Sequence, residues 1–528
     1  MTPDEKTCSQ SVLPQGPDER PRLWNRFQPA EGPWDRRVVV ANDADGRGFA
    51  HRPGEIVVST ADLAAATSAI TGKRLGHPIA LGSAGGFTLV GGVNEPVAAA
   101  LALRAQGLAA QVNHVFFADA GAYPSPVGMP SPVGMPSPVG MPSPVGMPSP
   151  VGMPSPVGMP SPVEIPSLSG WNACCCSCNE CKSRGANPKR MAPRRTLAEP
   201  VPKPTYWSAV AGWDVGAAGR RLPAAAKPCV VVVLDTGTPA AATADILMGV
   251  AADKVAQPSM MVLSNDLVTD HEQSDQNSDA FLDPYTGHGV FISGLIDDVA
   301  PGALIVNSKS VRTFGDVDDF ELGAAIEAAL VRLGRAPVPS TGGANDLAAH
   351  KGDDLVINLS VSGYCEDDDP PVVTESVIGH LLGQKSPSLP YTFRPTEDVV
   401  VVASAGNNAS CRPSWPAAFD HVVSVAALNG SVPAWFTNWG GWVRACAPGV
   451  DLVGRFLAPT NQPSFSDLDD YCGWAQWSGT SFSAPLVAAT IAWEVMSAGT
   501  TPAAAVERLI DRPGLYSLYG LGTVVNVL

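Results

Sequence analysis

Three segments of this chain place residues capable of acyl-transfer chemistry where such chemistry is commonly found. Asp235 ends the apolar run VVVVLD and is followed by Thr236 and Gly237, a carboxylate at the C-terminal edge of a strand, where open α/β sheets carry their sites. His288 stands between two glycines at the head of GHGVFISGLI, with apolar residues behind it at helical spacing. Glycine on both sides implies that something approaches the residue closely. Ser481 lies at the start of SGTSFSAPLVAATIAWEVM, in the first turn of a helix whose positive dipole end would point near it. Each has a plainer reading alone: a strand-end Asp is common, a lone His is more often structural, and a Ser here is usually an N-cap. Together they supply a hydroxyl, a base for its proton and an acid to orient the base, which with oxyanion donors is what serine-based hydrolysis needs.

The elements that must position these residues follow from pattern. From about Pro200 onward, CVVVVLD, LIVNSKS, DLVINLSV, DVVVVASAG and HVVSVAAL alternate with helical segments such as DFELGAAIEAALVRLG. Short, wholly apolar strands separated by helices predict an α/β domain with a mainly parallel sheet flanked by helices. Ahead of it, GEIVVS, GFTLVGGV and HVFFAD read as strands, with TADLAAATSAITGKRL and EPVAAALALRAQG as helices between them. That β-α-β-α-β order predicts a small α/β unit, either ferredoxin-like or of another arrangement.

At 528 residues with 45% apolar content, the chain can bury more than one core. The expected organisation is a flexible arm over 1–50, the small domain over 51–122, a linker over 123–200 and the large α/β domain over 201–528. The linker carries six tandem copies of SPVGMP at 125–160 and a degenerate seventh, SPVEIP. Two prolines per copy prevent helix and sheet and favour an extended spacer, a partner-binding Pro-rich ligand being the alternative. Next comes a cluster containing Cys175, Cys178 and Cys181. Close thiols suit zinc or an iron–sulfur centre, but zinc sites usually pair two clusters, and no second cluster or His is near. Redox chemistry, lipid modification and an unliganded tract stay open.

The basic stretch 182–195 reads as solvated linker or as an exposed cleavage site. The acidic stretches 266–283 and 366–369 match no defined calcium loop, so a solvated face is the plainer reading, with structural calcium still open. Eleven unevenly placed cysteines are not a disulfide framework, although Cys365, Cys411, Cys446 and Cys472 could pair. A net charge of −16 argues against nucleic-acid binding. Neither a secretory signal pattern nor an apolar run long enough for a membrane span is seen. The expected location is cytoplasmic, with export by a non-classical route as the alternative.

In the order Asp, His, Ser, these segments resemble the subtilisin family. DTG matches its Asp motif, GHG with an apolar helix and Gly294 its His motif, and GTSFSAP its Ser motif almost letter for letter. VAPGALI, WPAAFDHVVSVAAL, FTNWG, CAPGVDL and YGLGTVVNVL also have counterparts, so coverage runs from about Cys229 to the end. Where the family usually has Thr-His after GHG, this chain has Val290-Phe291.

The resemblance implies a subtilisin-like serine endopeptidase acting on protein or peptide substrates, with no cofactor required for catalysis. By it, Ser481 attacks the scissile carbonyl, His288 relays the proton and Asp235 orients His288. Asn407 in VVVASAGNN and the backbone N–H of Ser481 would bind the oxyanion. Ser360, Val361, Ser362 and Gly363 would line the substrate groove. The small domain has the order and position of the family's propeptide, implying a proenzyme whose own prodomain assists folding and blocks the groove. Two other functions fit the same residues: a peptide transamidase or macrocyclase working through the same acyl-enzyme, and a dormant peptidase serving as a binding scaffold.

Overall fold

The computed structural model describes residues 38–118, 199–200, 222, 226–238, 261–264, 272, 282–336, 347–382, 397–457 and 473–527. The SPVGMP repeat, Cys175, Cys178, Cys181 and the basic stretch lie outside these residues. Both folded domains belong to one compact unit.

The small domain consists of β1 (Val39–Asn42), β2 (Gly48–Ser59), α1 (Leu63–Gly72), β3 (Gly76–Ala84), β4 (Phe87–Val93), α2 (Pro96–Arg104) and β5 (Ala110–Ala118). Its antiparallel strands run β5-β2-β4-β3, with β1 beside β2. From β2 onward this is the β-α-β-β-α-β order of a ferredoxin-like unit. Ala66, Ile70, Ala99, Ala100 and Leu103 on the helices pack with Ile56, Val58, Val90 and Val112 on the sheet. Two features depart from the sequence pattern. The first strand begins at Val39, inside the stretch expected to be an arm, and β3 adds a strand to the expected order. β3 is an edge strand that leaves Ile79 and Leu81 exposed, so it lacks the apolar–polar alternation that marks a half-buried strand.

The large domain begins with β6 (Glu199–Pro200), β7 (Cys229–Asp235), β8 (Met261–Ser264), α3 (His288–Val299), β9 (Leu304–Lys309), β10 (Asp316–Asp318) and α4 (Asp319–Arg332). Next are β11 (Asp354–Leu359), β12 (Val361–Ser362), α5 (Val372–Leu381), β13 (Val399–Ser404), β14 (Val423–Asn429), β15 (Val432–Pro433) and β16 (Ala445–Pro448). It closes with β17 (Leu452–Arg455), β18 (Trp474–Trp477), α6 (Thr480–Ala498), α7 (Pro502–Val506), β19 (Ser517–Leu518) and β20 (Gly522–Val524). The main sheet runs β19-β20-β16-β14-β13-β11-β7-β9-β8, parallel from β20 through β8. Every residue of β7, β11 and β13 is buried, as expected of parallel strands covered on both faces.

Helix α6 is buried from Thr480 to Met496 and packs on β7, β11, β13, β14 and β16. It is therefore a core helix, and among the described residues no single helix is long and apolar enough to cross a membrane. Beside it, α3 is anchored by buried Arg455 of β17, which donates to Asp297 at 2.7 Å and to Asp298 at 2.9 Å.

The two domains share a sheet. β5 lies between β10 and β12, antiparallel to both, with Phe117 opposite Asp316 and Ser362, and Ala118 opposite Val361. Small-domain amides also serve helix starts of the large domain. Asn113 Oδ1 accepts from Phe320 N in the first turn of α4, and Gln111 Oε1 accepts from Val372 N at the start of α5. These N–H groups have no partner within their own helices.

Candidate active site

Asp235 and His288 are brought together as the sequence implies. His288 Nδ1 lies 2.7 Å from Asp235 Oδ1, which also accepts from Thr236 N at 2.7 Å. That pairing fits Nδ1–H as donor and leaves Nε2 as the basic nitrogen. Both side chains are fully buried. The imidazole packs among Tyr285, Trp477 and Phe482, with ring centroids 5.8, 5.3 and 5.3 Å away. Phe291, in the pair replacing the family's usual Thr-His, packs against the same Trp477 and Phe482.

The flanking glycines have physical reasons. Gly287 has φ of 80°, and a Cβ there would lie 2.3 Å from the Phe456 ring. A Cβ on Gly289 would lie 2.6 Å from Gly237 O, so the His turn and the Asp turn touch backbone to backbone.

Ser481 occupies the first turn of α6, and the neighbouring Phe482 packs on His288. Its hydroxyl donates to the carbonyl of Ser360 at 3.1 Å. His288 Nε2 is buried and has no hydrogen-bond partner among the described residues. In return, Ser360 Oγ donates to the Ser481 carbonyl at 2.9 Å. Pro485 explains why that carbonyl is available. The helical partner of Ser481 C=O would be the N–H four residues on, and proline has none.

Asn407 follows β13 and is held by Thr480. Its Oδ1 accepts from Thr480 N at 3.0 Å and from Thr480 Oγ1 at 2.8 Å, so donation falls to Nδ2. Asn438 of the FTNWG segment shapes the same loop, accepting from Asn408 N and Ser410 N and donating to Ala405 O.

Of the residues expected to line a substrate groove, Val361 and Ser362 form β12, while Gly363 pairs with Trp415 through both of its backbone groups. The acidic stretch 366–369 is engaged by arginines. Glu366 pairs with Arg104, and Asp368 with Arg47 and Arg412. Cys365 and Cys446 are free, so the pairing considered for them is corrected, whereas Cys411 is disulfide-bonded.

A further polar layer lies beside the Asp235 and His288 turns. Thr236 Oγ1 donates to Glu272 Oε1 at 2.7 Å, and Gly287 N donates to the same oxygen at 2.7 Å. Asn307 Nδ2 donates to Gly289 O at 3.1 Å and Ser293 Oγ at 3.0 Å. Burial pushes the Glu272 carboxyl up to about 8, and the Asp235 charge adds to the rise. Sequence reasoning missed Glu272 because it lies in an acidic, unpatterned stretch that reads as a solvated loop.

The subtilase family model matches residues 227–510, and the chain belongs to this family of serine peptidases. A stretch of 90 residues is 38% identical to the "Thermophilic serine proteinase" of Bacillus sp. (strain AK1), covering 17% of this chain and 19% of that protein. Among solved structures, a cold-adapted subtilisin-like serine proteinase is similar over 57% of this chain and 89% of that chain, at 20% identity and a TM-score of 0.38. The prenylagaramide maturation protease PagA is similar over 57% of this chain and 91% of that chain, at 17% identity and a TM-score of 0.37.

Proposed function

We propose that the chain is a serine endopeptidase made as a proenzyme, in which Ser481 is the nucleophile, His288 the general base and acid, and Asp235 the residue that orients His288. The observation that carries this reading is the 2.7 Å contact between His288 and Asp235, set against the helix turn that bears Ser481. For attack, Ser481 Oγ swings from the Ser360 carbonyl to His288 Nε2 and passes its proton there as it bonds to the scissile carbon. Asn407 Nδ2 and the Ser481 N–H receive the developing oxyanion near the positive end of α6. The protonated His288, stabilised by Asp235, then gives its proton to the leaving amine. Water repeats the sequence on the acyl-enzyme.

The small domain acts as the inhibitory prodomain. Supporting this, β5 already fills the place of a peptide strand between β10 and β12. A substrate adding a strand there would compete with it for the same backbone groups. The test is mass spectrometry of a peptide mixture incubated with the full chain and with Ser481→Ala. Peptides that each gain one water, made only by the unmodified chain, support the endopeptidase. Joined or cyclised peptides would replace hydrolysis with transamidation, and an absence of products from either chain would overturn both.

A further inference from the structure

We propose that Glu272 is a positioning residue for this reaction, a buried side chain that holds the Asp235 turn and the His288 turn in register without touching substrate. The inference rests on the triad reading and assigns a role that the motifs do not. A single carboxyl oxygen, Oε1, accepts from the hydroxyl of Thr236, the residue after Asp235, and from the N–H of Gly287, the residue before His288. The Thr236 hydroxyl in turn accepts from Gly289 N at 3.0 Å. Both neighbours of His288 and the residue that follows Asp235 are thus joined through the Glu272 and Thr236 side chains. Glu272 is itself held by its backbone, which donates to Thr238 O at 3.1 Å.

Burial favours the neutral form of this carboxyl. Glu272 is 4% exposed, and its Oε2 is buried with no hydrogen-bond partner among the described residues. An ionised oxygen in that place would be poorly solvated. The hydrogen bonds from Thr236 and Gly287 favour ionisation, but burial outweighs them and the Asp235 charge adds to the rise. Neutrality also suits the chemistry. A second negative charge beside His288 would raise the pKa of the imidazole and deplete the free base at neutral pH.

The test measures kcat, KM and the pH dependence of kcat/KM for the full chain and for Glu272→Ala, Glu272→Gln and Thr236→Val. Glu272→Ala is expected to lower kcat by roughly 10–100-fold through misplacement of the triad, with KM within about twofold. Glu272→Gln, which keeps an uncharged acceptor, is expected to recover to within about threefold and to leave the acid limb at the same pH. Thr236→Val removes the shared hydroxyl and is expected to match Glu272→Ala, which keeps the test decisive if the alanine variant does not fold. An active, folded Glu272→Ala overturns the inference, as does a Gln variant no better than Ala. An acid limb displaced to lower pH in Glu272→Gln also overturns it, by showing that Glu272 carries charge. Unmodified protein that hydrolyses nothing overturns the peptidase reading together with this one.

Discussion

Ala118 and Val361 face each other in adjacent antiparallel strands, one residue from Ser360, whose carbonyl accepts the Ser481 hydroxyl. The last strand of the small domain therefore runs beside the segment that is hydrogen-bonded to Ser481. Its neighbour on the other side is β10, so β5 is paired along both edges by strands of the large domain. Four consequences can be measured on the Ser481→Ala chain or on the active enzyme.

Gly363 is the close-approach point under β5. A Cβ there would lie 2.7 Å from the Phe116 ring and 2.9 Å from Val115 O, and the backbone oxygen belongs to a paired strand that cannot easily give. Gly363→Val is expected to displace β5. Hydrogen exchange of residues 110–118 should rise at least tenfold in the Ser481→Ala background, and unchanged protection would contradict the close approach.

Arg52 locks the small domain electrostatically. It is 1% exposed and bonds Asp316 at 2.6 Å and Asp318 at 3.0 Å, while Asp318 also caps α4 through Glu321 N. Removing one partner of a buried pair strands the other and costs about 3–5 kcal/mol. Arg312 still pairs with Asp316, which places Arg52→Ala at about 3 kcal/mol, the low end. Exchange in 110–118 should rise by about 10²-fold. A rise below about threefold would show that the lock is not carried by this cluster.

His114 makes the docking pH-sensitive. Its Nε2 accepts from Glu366 N at 3.1 Å, a role that protonation abolishes. Burial, with help from His51, Arg104 and Arg412, lowers it from the ordinary 6.5 to about 3. His51, which faces it across the β2–β5 pairing, is lowered by burial too, though Glu366 opposes that. Because the docked value lies below the free one, docking is fully favoured above about pH 6.5 and weakens as pH falls toward 3. Between pH 7 and 5 the loss from His114 is about 2 kcal/mol. Exchange in 110–118, corrected for its intrinsic pH dependence, should therefore be faster at pH 5, and His114→Phe should flatten that response. Equal protection at both pH values would refute it.

Asn407 is predicted to act in the transition state alone. Asn407→Ala should lower kcat by about 10²–10³-fold and leave KM within a few-fold, the behaviour of an oxyanion donor. A rise in KM at constant kcat would instead make Asn407 a substrate contact.

The parts that were legible in sequence share a cause. The apolar, β-branched runs around Asp235, Asn358 and Ser404, alternating with helices, read as buried parallel strands, and GTSFSAP carries its own structural logic, since Pro485 frees the Ser481 carbonyl for Ser360. Glycines 287 and 289 announced close approach, which proves to involve Phe456 and Gly237. Long-range polar geometry was not legible. Arg52 meets Asp316 and Asp318 across more than 260 positions, and Glu272 sits among acidic residues with no period to betray burial. The edge strand β3 was hidden because Ile79 and Leu81 point to solvent, where an apolar side chain gives no inward signal.

The central claim is that Ser481 is an activated nucleophile held latent by its own chain. It is tested most directly by intact-mass spectrometry of the full chain and Ser481→Ala, before and after a serine-reactive fluorophosphonate. The unmodified chain is expected to trim itself between about Ala120 and Pro228 and to take one label at Ser481, while the variant stays whole and unlabelled. An unmodified chain that remains full length and unlabelled, even after the small domain is loosened by Arg52→Ala, would contradict it.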